Sequence, residues 1–239
     1  MSQRSSIKQR LHEELESIIA QAELGQRLPS EPNLAESLGV SRATLREAMR
    51  TFETQGLIHR RHGVGTFVVH PNPVIESGLE VLESIETITK RLGFSVSMGD
   101  LEVTNAEATE DELLKLGLEP GTRILRISRV ILKEGCPVAY LVDTLPEKTL
   151  SPEEFANGFS GSVLDLLLQR GDLQLSRSRC DVSAVAANAV LARALHVQPG
   201  VALLRFESLL YTVDGQAVDY SFSYFLPGYF RFHVVRRVE

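Results

Sequence analysis

The chain has 239 residues, 43% of them hydrophobic and 23% charged, and carries a net charge of −6. That length exceeds the roughly 100–200 residues of a single domain, and the hydrophobic content is ample for real cores. No apolar run approaches the roughly 18 residues a membrane helix needs, and the opening MSQRSSIKQRLHEELESII alternates charge with hydrophobe instead of showing a signal peptide's continuous apolar core, so a soluble cytoplasmic protein is expected.

Cys136 and Cys180 are the only cysteines, and neither stands in a CxxC or Cys/His spacing, so no zinc site and no cofactor are expected. The acidity is uneven. Residues 1–70 hold nine Lys+Arg against eight Asp+Glu, whereas residues 71–239 hold sixteen against twenty-three. Within 41–62 five arginines stand against Glu47 and Glu53, with His59 and His62 alongside. This is the compact basic patch of a nucleic-acid-binding segment inside an acidic chain.

Ile7, Leu11, Leu15, Ile18 and Ile19 recur on one helical face and predict a first helix. In LPSEPNLAESLGV, Ser30 is an N-cap candidate, Pro32 sits where its missing N–H does little harm, and Gly39 ends a short second helix. Ser41 can cap a third helix, in which Leu45, Ala48, Met49 and Phe52 keep the i, i+3, i+4, i+7 spacing until Gly56. Two helices joined by a three-residue turn form a helix-turn-helix. Arg42, Arg46 and Arg50 fall four residues apart on the third helix, roughly 100° around its axis from the apolar stripe. GLIHRRHGVGTFVV adds two β-like runs around Gly63 and Gly65, a hairpin with Arg60, Arg61 and His62 at its tip. On an isolated helix such arginines are most often a solvated face. Next to a basic hairpin they predict a winged helix, with helix three in the major groove of duplex DNA and the wing on the adjacent groove or backbone.

Residues 28–68, LPSEPNLAESLGVSRATLREAMRTFETQGLIHRRHGVGTFV, resemble the GntR family of bacterial transcription regulators. The resemblance implies DNA contacts at Ser41, Arg42, Thr44, Arg46, His62 and Gly63, to which the stripe and the hairpin tip add Arg50, Arg60 and Arg61. Arg42 and Arg46 are expected nearest the bases, with Ser41 and Arg60 or Arg61 on phosphate. Many relatives place arginine where this chain has Pro32.

HPNPVIESG, residues 70–78, reads as a linker, leaving 1–69 as a DNA-binding domain and 79–239 as a second domain. The second domain contains a duplication. Residues 113–140 and 190–220 match at an offset of 79, then 80, so that Pro120-Gly121 answers Pro199-Gly200, Arg126 answers Arg205, Gly135 answers Gly215 and Tyr140 answers Tyr220. Each copy reads as a helix end, a turn and two strands, which makes the domain α+β with at least four antiparallel strands. Strand alternation puts Arg129 on an apolar face with Leu125, Ile127 and Ile131, where it needs a partner. Asp143 or Asp219 would serve, and so would a hydroxylated or anionic ligand held bidentately.

GTRILRISRV, GCPVAY, SRSRCDVSAV and GQAVDYSFSYF resemble the UTRA effector-binding domain of the HutC branch, which has a chorismate-lyase-like fold. The resemblance implies a small metabolite, often a sugar phosphate and hence anionic, bound by Arg129, Arg177 and Asp219, with Tyr224 and, in LESIET, Ser84 beside Glu83 and Glu86. Ile131 and Leu141 replace charged residues common in relatives, so the pocket is expected to be less charged than a typical sugar-phosphate sensor. The C-terminal aromatics Phe222, Tyr224, Phe225, Tyr229, Phe230 and Phe232 read as core and dimer-contact residues rather than a stacking platform. An enzyme is the rival class, since the fold resembles a lyase, but no Ser/His/Asp set, metal spacing or carboxylate pair on a common face is present to carry a reaction. The expected protein is a homodimeric regulator, in the sense of a repressor, that reads a palindromic operator and answers to an effector.

Overall fold

The computed structural model describes residues 2–23, 25–54, 56–61, 64–68, 74–150, 159 and 161–237. The chain divides into two compact units, one of residues 1–74 with 186–202 and 226–230, the other of residues 75–185, 203–225 and 231–239.

In the first unit, α1 (Ser2–Gln21), α2 (Glu31–Ser37) and α3 (Arg42–Thr54) are followed by β1 (Ile58–Arg61) and β2 (Gly65–Val68). Local chemistry sets the boundaries. The Ser30 hydroxyl accepts from the Asn33 N–H at 3.5 Å with Pro32 in the first turn of α2, and the Ser41 hydroxyl accepts from the Thr44 N–H at 3.1 Å at the start of α3. Gly39 and Gly56 take positive φ of 62° and 68° where the chain leaves α2 and α3. Leu11, Leu15 and Ile19 of α1, Leu34 and Ala35 of α2, Leu45, Met49 and Phe52 of α3, and Ile58 and Val68 of the wing close into one core. Each fully buried side chain of this kind contributes about 1.5–3 kcal/mol. Residues 25–28 add a third rung to the wing: the Gly25 N–H donates to the Val68 carbonyl at 2.9 Å and the Leu28 N–H to the Thr66 carbonyl at 2.8 Å.

The second unit is built on six antiparallel strands in the order β4-β5-β6-β9-β8-β7, where β4 is Ser97–Glu107, β5 Arg123–Lys133, β6 Cys136–Pro146, β7 Leu175–Ala186, β8 Ala202–Thr212 and β9 Ala217–Phe225. The order is a mirror about β6 and β9, which is the duplication in three dimensions: one copy supplies β4 to β6, the other β7 to β9. A short helix precedes the middle strand in each copy, α5 (Glu110–Leu116) before β5 and α7 (Ala189–Ala194) before β8. Ile75–Gly78, expected within a linker, form a strand, β3, that pairs with β10 (Phe230–His233), because Ile75 and Ser77 alternate inward from Glu76. Two further helices are α4 (Ile85–Arg91) and α6 (Val163–Arg170).

Register sorts the sheet into two faces. Ile127 lies opposite Asp143, Asp143 opposite Ser221, and Asp219 opposite Leu210, so these residues share a face with Arg129. Leu125, Ile127, Leu145, Leu210 and Val218 on that face pack against Val163 and Leu167 of α6. Leu116 of α5 packs on the other face with Ala217, Tyr220, Tyr211 and Phe222. Phe206, Phe225 and Phe232 cluster with centroids 4.6–5.1 Å apart, and Tyr229 and Phe230 are buried.

Candidate functional site

On α3 the apolar stripe faces the core and the arginines face away. Leu45, Met49 and Phe52 are no more than 3% exposed, whereas the Arg46 and Arg50 side chains are 54% and 65% exposed. Arg42 has no acidic partner among the described residues, and Arg50 reaches Glu47 only at 3.6 Å. The Ser41 and Thr44 hydroxyls bond each other at 2.8 Å, which fixes the first turn of α3. Arg46 is anchored through Nε to Glu31 Oε2 at 2.6 Å, and Arg60 of β1 pairs with the other oxygen of the same carboxylate. One acidic residue at the first position of α2 thus ties the arginine-bearing helix to the hairpin. Arg60, expected on phosphate, is partly buried in this contact. Arg61 pairs by its backbone with Gly65, while its side chain, His62 and Gly63 lie outside the described residues.

Two residues of this face were not expected. Glu31 signals itself only as the last letter of LPSE. Arg27 lies over the hairpin: a Cβ on Gly65, at φ +143°, would stand 2.5 Å from its Nε. Nothing in the sequence marks that contact.

A second group surrounds Arg129. Its guanidinium is ion-paired with Asp143, with side chains 5% and 12% exposed, so the partner expected for Arg129 is present within the chain. Among the described residues Arg129 Nε and Asp219 Oδ1 have no hydrogen-bond partner, in residues 4% and 6% exposed, although the Asp219 carboxyl also accepts from the Ser221 hydroxyl and the Thr144 N–H. Burial first, and then the neighbouring Asp143 carboxylate, push the Asp219 carboxyl well above the usual carboxylate range. Glu86 is raised too, mainly by burial, and feels Arg129, Asp165 and Asp143. Ser84 caps α4 by accepting from the Thr87 N–H at 3.0 Å and donates to Asp165 Oδ2 at 2.7 Å, which joins α4 to α6. A cleft of about 340 Å³ between these helices is lined by Glu86, Thr87, Lys90, Asp165, Leu168 and Gln169.

The expected effector residues therefore divide. Arg129, Asp219 and, through Asp165 and Glu86, Ser84 belong to one neighbourhood. Arg177 and Tyr224 are on the other face of the sheet. The Arg177 guanidinium lies 5.2 Å from the ring of Tyr211, and Tyr224 packs against Phe222 and Tyr140. The physical reason is the period of two along each strand, which puts Arg177 and Tyr224 on the side away from Arg129. Among the described residues no three His, Cys, Asp or Glu side chains group to hold a metal, and no helix is long and apolar enough to cross a membrane.

The family model for bacterial regulatory proteins of the gntR family matches residues 3–68, and that for the UTRA domain matches residues 91–231. The chain is 29% identical over 194 residues to the transcriptional repressor NagR of Bacillus subtilis, covering 81% of this chain and 79% of the relative. It is 30% identical over 134 residues to the histidine utilization repressor of Pseudomonas putida, covering 56% and 53%. Among solved structures, PhnF from Mycobacterium smegmatis superposes with a TM-score of 0.65 at 22% identity, over 96% of this chain and all of that one, and shares its fold. With a winged helix that exposes an arginine ladder in one unit and a duplicated six-stranded sheet in the other, the chain belongs to the GntR family of DNA-binding transcription regulators, as a UTRA-domain member of the HutC branch, and not to a family of enzymes.

Proposed function

We propose that the protein is a homodimeric transcriptional repressor in the cytoplasm whose affinity for a palindromic operator is set by a small molecule bound in its UTRA domain. Residues 1–69 bind DNA, residues 79–239 bind the effector and the second subunit, and the stretch from 70 joins them. The observation that carries the reading is the ladder of Arg42, Arg46 and Arg50 on the solvent face of α3, beside a wing braced to it through Glu31. A helix so equipped fits the major groove, where arginine donates to both N7 and O6 of guanine. Arg46 holds Glu31 through Nε and keeps its two terminal nitrogens for such a base edge. Arg42 and Arg46 act nearest the bases; Ser41, Thr44, Arg50, Arg60, Arg61, His62 and Gly63 set the helix and wing on the backbone. Two such helices in a dimer meet successive major grooves roughly 34 Å apart.

Effector control needs only that the ligand prefers one arrangement of the dimer, with a reciprocal coupling typically about 1–3 kcal/mol. Arg129, Asp219 and Ser84 are the proposed effector residues; Arg177 and Tyr224 enter only if the ligand also meets the opposite face.

The test selects bound duplexes from random DNA, then measures affinity by fluorescence polarisation for the wild type, Arg42→Ala and Arg46→Ala, with light scattering for the mass of the complex. A base-reading arginine loses roughly 1–3 kcal/mol of discrimination at one position of the site. Unchanged affinity in both variants, or a monomer on a non-palindromic site, rejects the reading.

A further inference from the structure

We propose that Arg27, which lies outside both the recognition helix and the tip of the wing, is a DNA contact: its guanidinium, seated against Gly65, grips a backbone phosphate beside the operator site. The inference rests on the reading of α3 and the wing as the DNA-binding face and adds a residue to it. The first support is the mounting of the residue. Residues 25–28 run as a third strand along β2, with Arg27 bridged to Phe67. On one side the Gly25 N–H donates to the Val68 carbonyl at 2.9 Å and the Val68 N–H to the Gln26 carbonyl at 2.8 Å; on the other the Leu28 N–H donates to the Thr66 carbonyl at 2.8 Å. Leu28 is 4% exposed and part of the core of the unit. Alternation then turns Arg27 to the outer face, where it is exposed.

The second support is the course of the side chain. Gly65 pairs with Arg61 in the last rung before the tip, two residues from Phe67, so the Arg27 side chain reaches about 7 Å along the hairpin toward that tip. A Cβ on Gly65 would stand 2.5 Å from Arg27 Nε, 3.2 Å from Cζ and 3.3 Å from Nη2. The guanidinium therefore lies against bare backbone, and Gly65 is its seat as well as a turn residue.

Charge supplies the third. Arg27 has no acidic partner among the described residues. Arg60, on the same wing, is partly buried and paired with Glu31, whose carboxylate Arg46 shares. Of these, Arg27 keeps its whole charge for a partner outside the chain. A guanidinium already laid along a strand has less rotamer freedom to lose on binding, and its planar fork meets a phosphate on two oxygens. Because it lies back against the hairpin instead of projecting past the tip, it meets the sugar-phosphate rim and not a base edge.

The test uses the full chain and a duplex selected from random DNA. Polarisation titrations over a range of salt concentrations compare the wild type, Arg27→Gln, Arg27→Lys and Arg42→Ala, and are repeated on duplexes carrying one neutral methylphosphonate stepped along each strand. Arg27→Gln is expected to melt with the wild type, to bind roughly three- to tenfold more weakly for each chain bound, on selected and scrambled duplex alike, and to lose about one from the salt slope per chain. Arg27→Lys should keep that slope. One methylphosphonate position should weaken the wild type and leave Arg27→Gln unaffected. Unchanged affinity and slope in Arg27→Gln, with Arg42→Ala weakened, overturns the proposal and leaves the DNA-binding face in place. Lower melting without a change of slope makes Arg27 a brace of the wing and overturns it as well, and a loss confined to one base pair overturns the phosphate assignment. Unchanged binding in both Arg27→Gln and Arg42→Ala rejects the DNA-binding face itself.

Discussion

Arg46 on the recognition helix and Arg60 on the wing are held by the same carboxylate, one on each oxygen of Glu31. The helix and the hairpin proposed to meet DNA are thereby held by a residue that carries the wrong charge for it. Glu31→Gln keeps the shape and removes the charge. The expected outcome is a protein that binds random duplex more tightly, its net charge being one unit more positive, yet loses roughly tenfold in preference for its operator, about 1.4 kcal/mol. Polarisation assays on operator and scrambled duplexes at several salt concentrations measure both; an undiminished preference removes Glu31 from the positioning role.

Gly65 makes the second case. Its φ of +143° is open almost only to glycine, and a Cβ would meet Arg27 Nε at 2.5 Å. Gly65→Ala is expected to cost about 1–3 kcal/mol of stability and to turn Arg27 away from the hairpin. Thermal melting reads the first effect. A salt-dependence slope for DNA binding that falls by about one, matched by Arg27→Ala, reads the second and would make Arg27 a phosphate contact.

Glu53 of α3 is buried, and desolvation raises its carboxyl from 4.5 to about 7, only partly opposed by Arg50 and by the Arg60 backbone N–H. Below pH 4.5 the group is protonated in both folded and unfolded chains and costs nothing. Above 7 the folded chain must hold it ionised, so stability falls as the pH rises between the two values, by about 3 kcal/mol at most. Glu53→Gln can still accept from the Arg60 N–H and does not ionise. Its melting temperature should therefore match the wild type near pH 5 and exceed it near pH 8.5; equal melting at both shows that Glu53 is solvated.

For Arg129 and Asp143 the expected asymmetry is large. Arg129→Ala leaves Asp143 buried without its partner, at a cost of about 3–5 kcal/mol, while Arg129→Met combined with Asp143→Leu should recover most of it. Denaturant unfolding of the two variants measures the difference, and equal losses would mean that packing, not charge, dominates here.

The winged helix was open to sequence reasoning because its determinants are local. A cap at Ser30, a cap at Ser41, glycines at 39 and 56 and a 3.6-residue apolar period each act within a few residues of themselves. The duplication was legible for the same reason and gave at least four antiparallel strands, while the outer strands β4 and β7 and the mirror order came only with the structure. What escaped depends on pairing across the chain. The register that sets Asp143 beside Ser221 decides which residues of neighbouring strands share a face with Arg129, so Arg177 on its own strand could not be placed by alternation alone, whereas the odd spacing from Asp219 to Tyr224 on β9 already puts those two on opposite faces. Glu31 and Arg27 escaped because their roles come from side chains meeting across the turn and the wing. The bond between β3 and β10 joins segments at opposite ends of the second unit, beyond any local signal.

The mirror order of the sheet also fixes a number. Across the duplication Arg129 corresponds to Ser208, Asp143 to Ser223 and Asp219 to Ala139. The counterparts of all three are uncharged, so a sheet with two equivalent halves carries this ionic cluster once and not twice. Titration of an effector to saturation should stop at one ligand per chain, and a second ligand on the same chain would show that the uncharged half of the sheet binds as well.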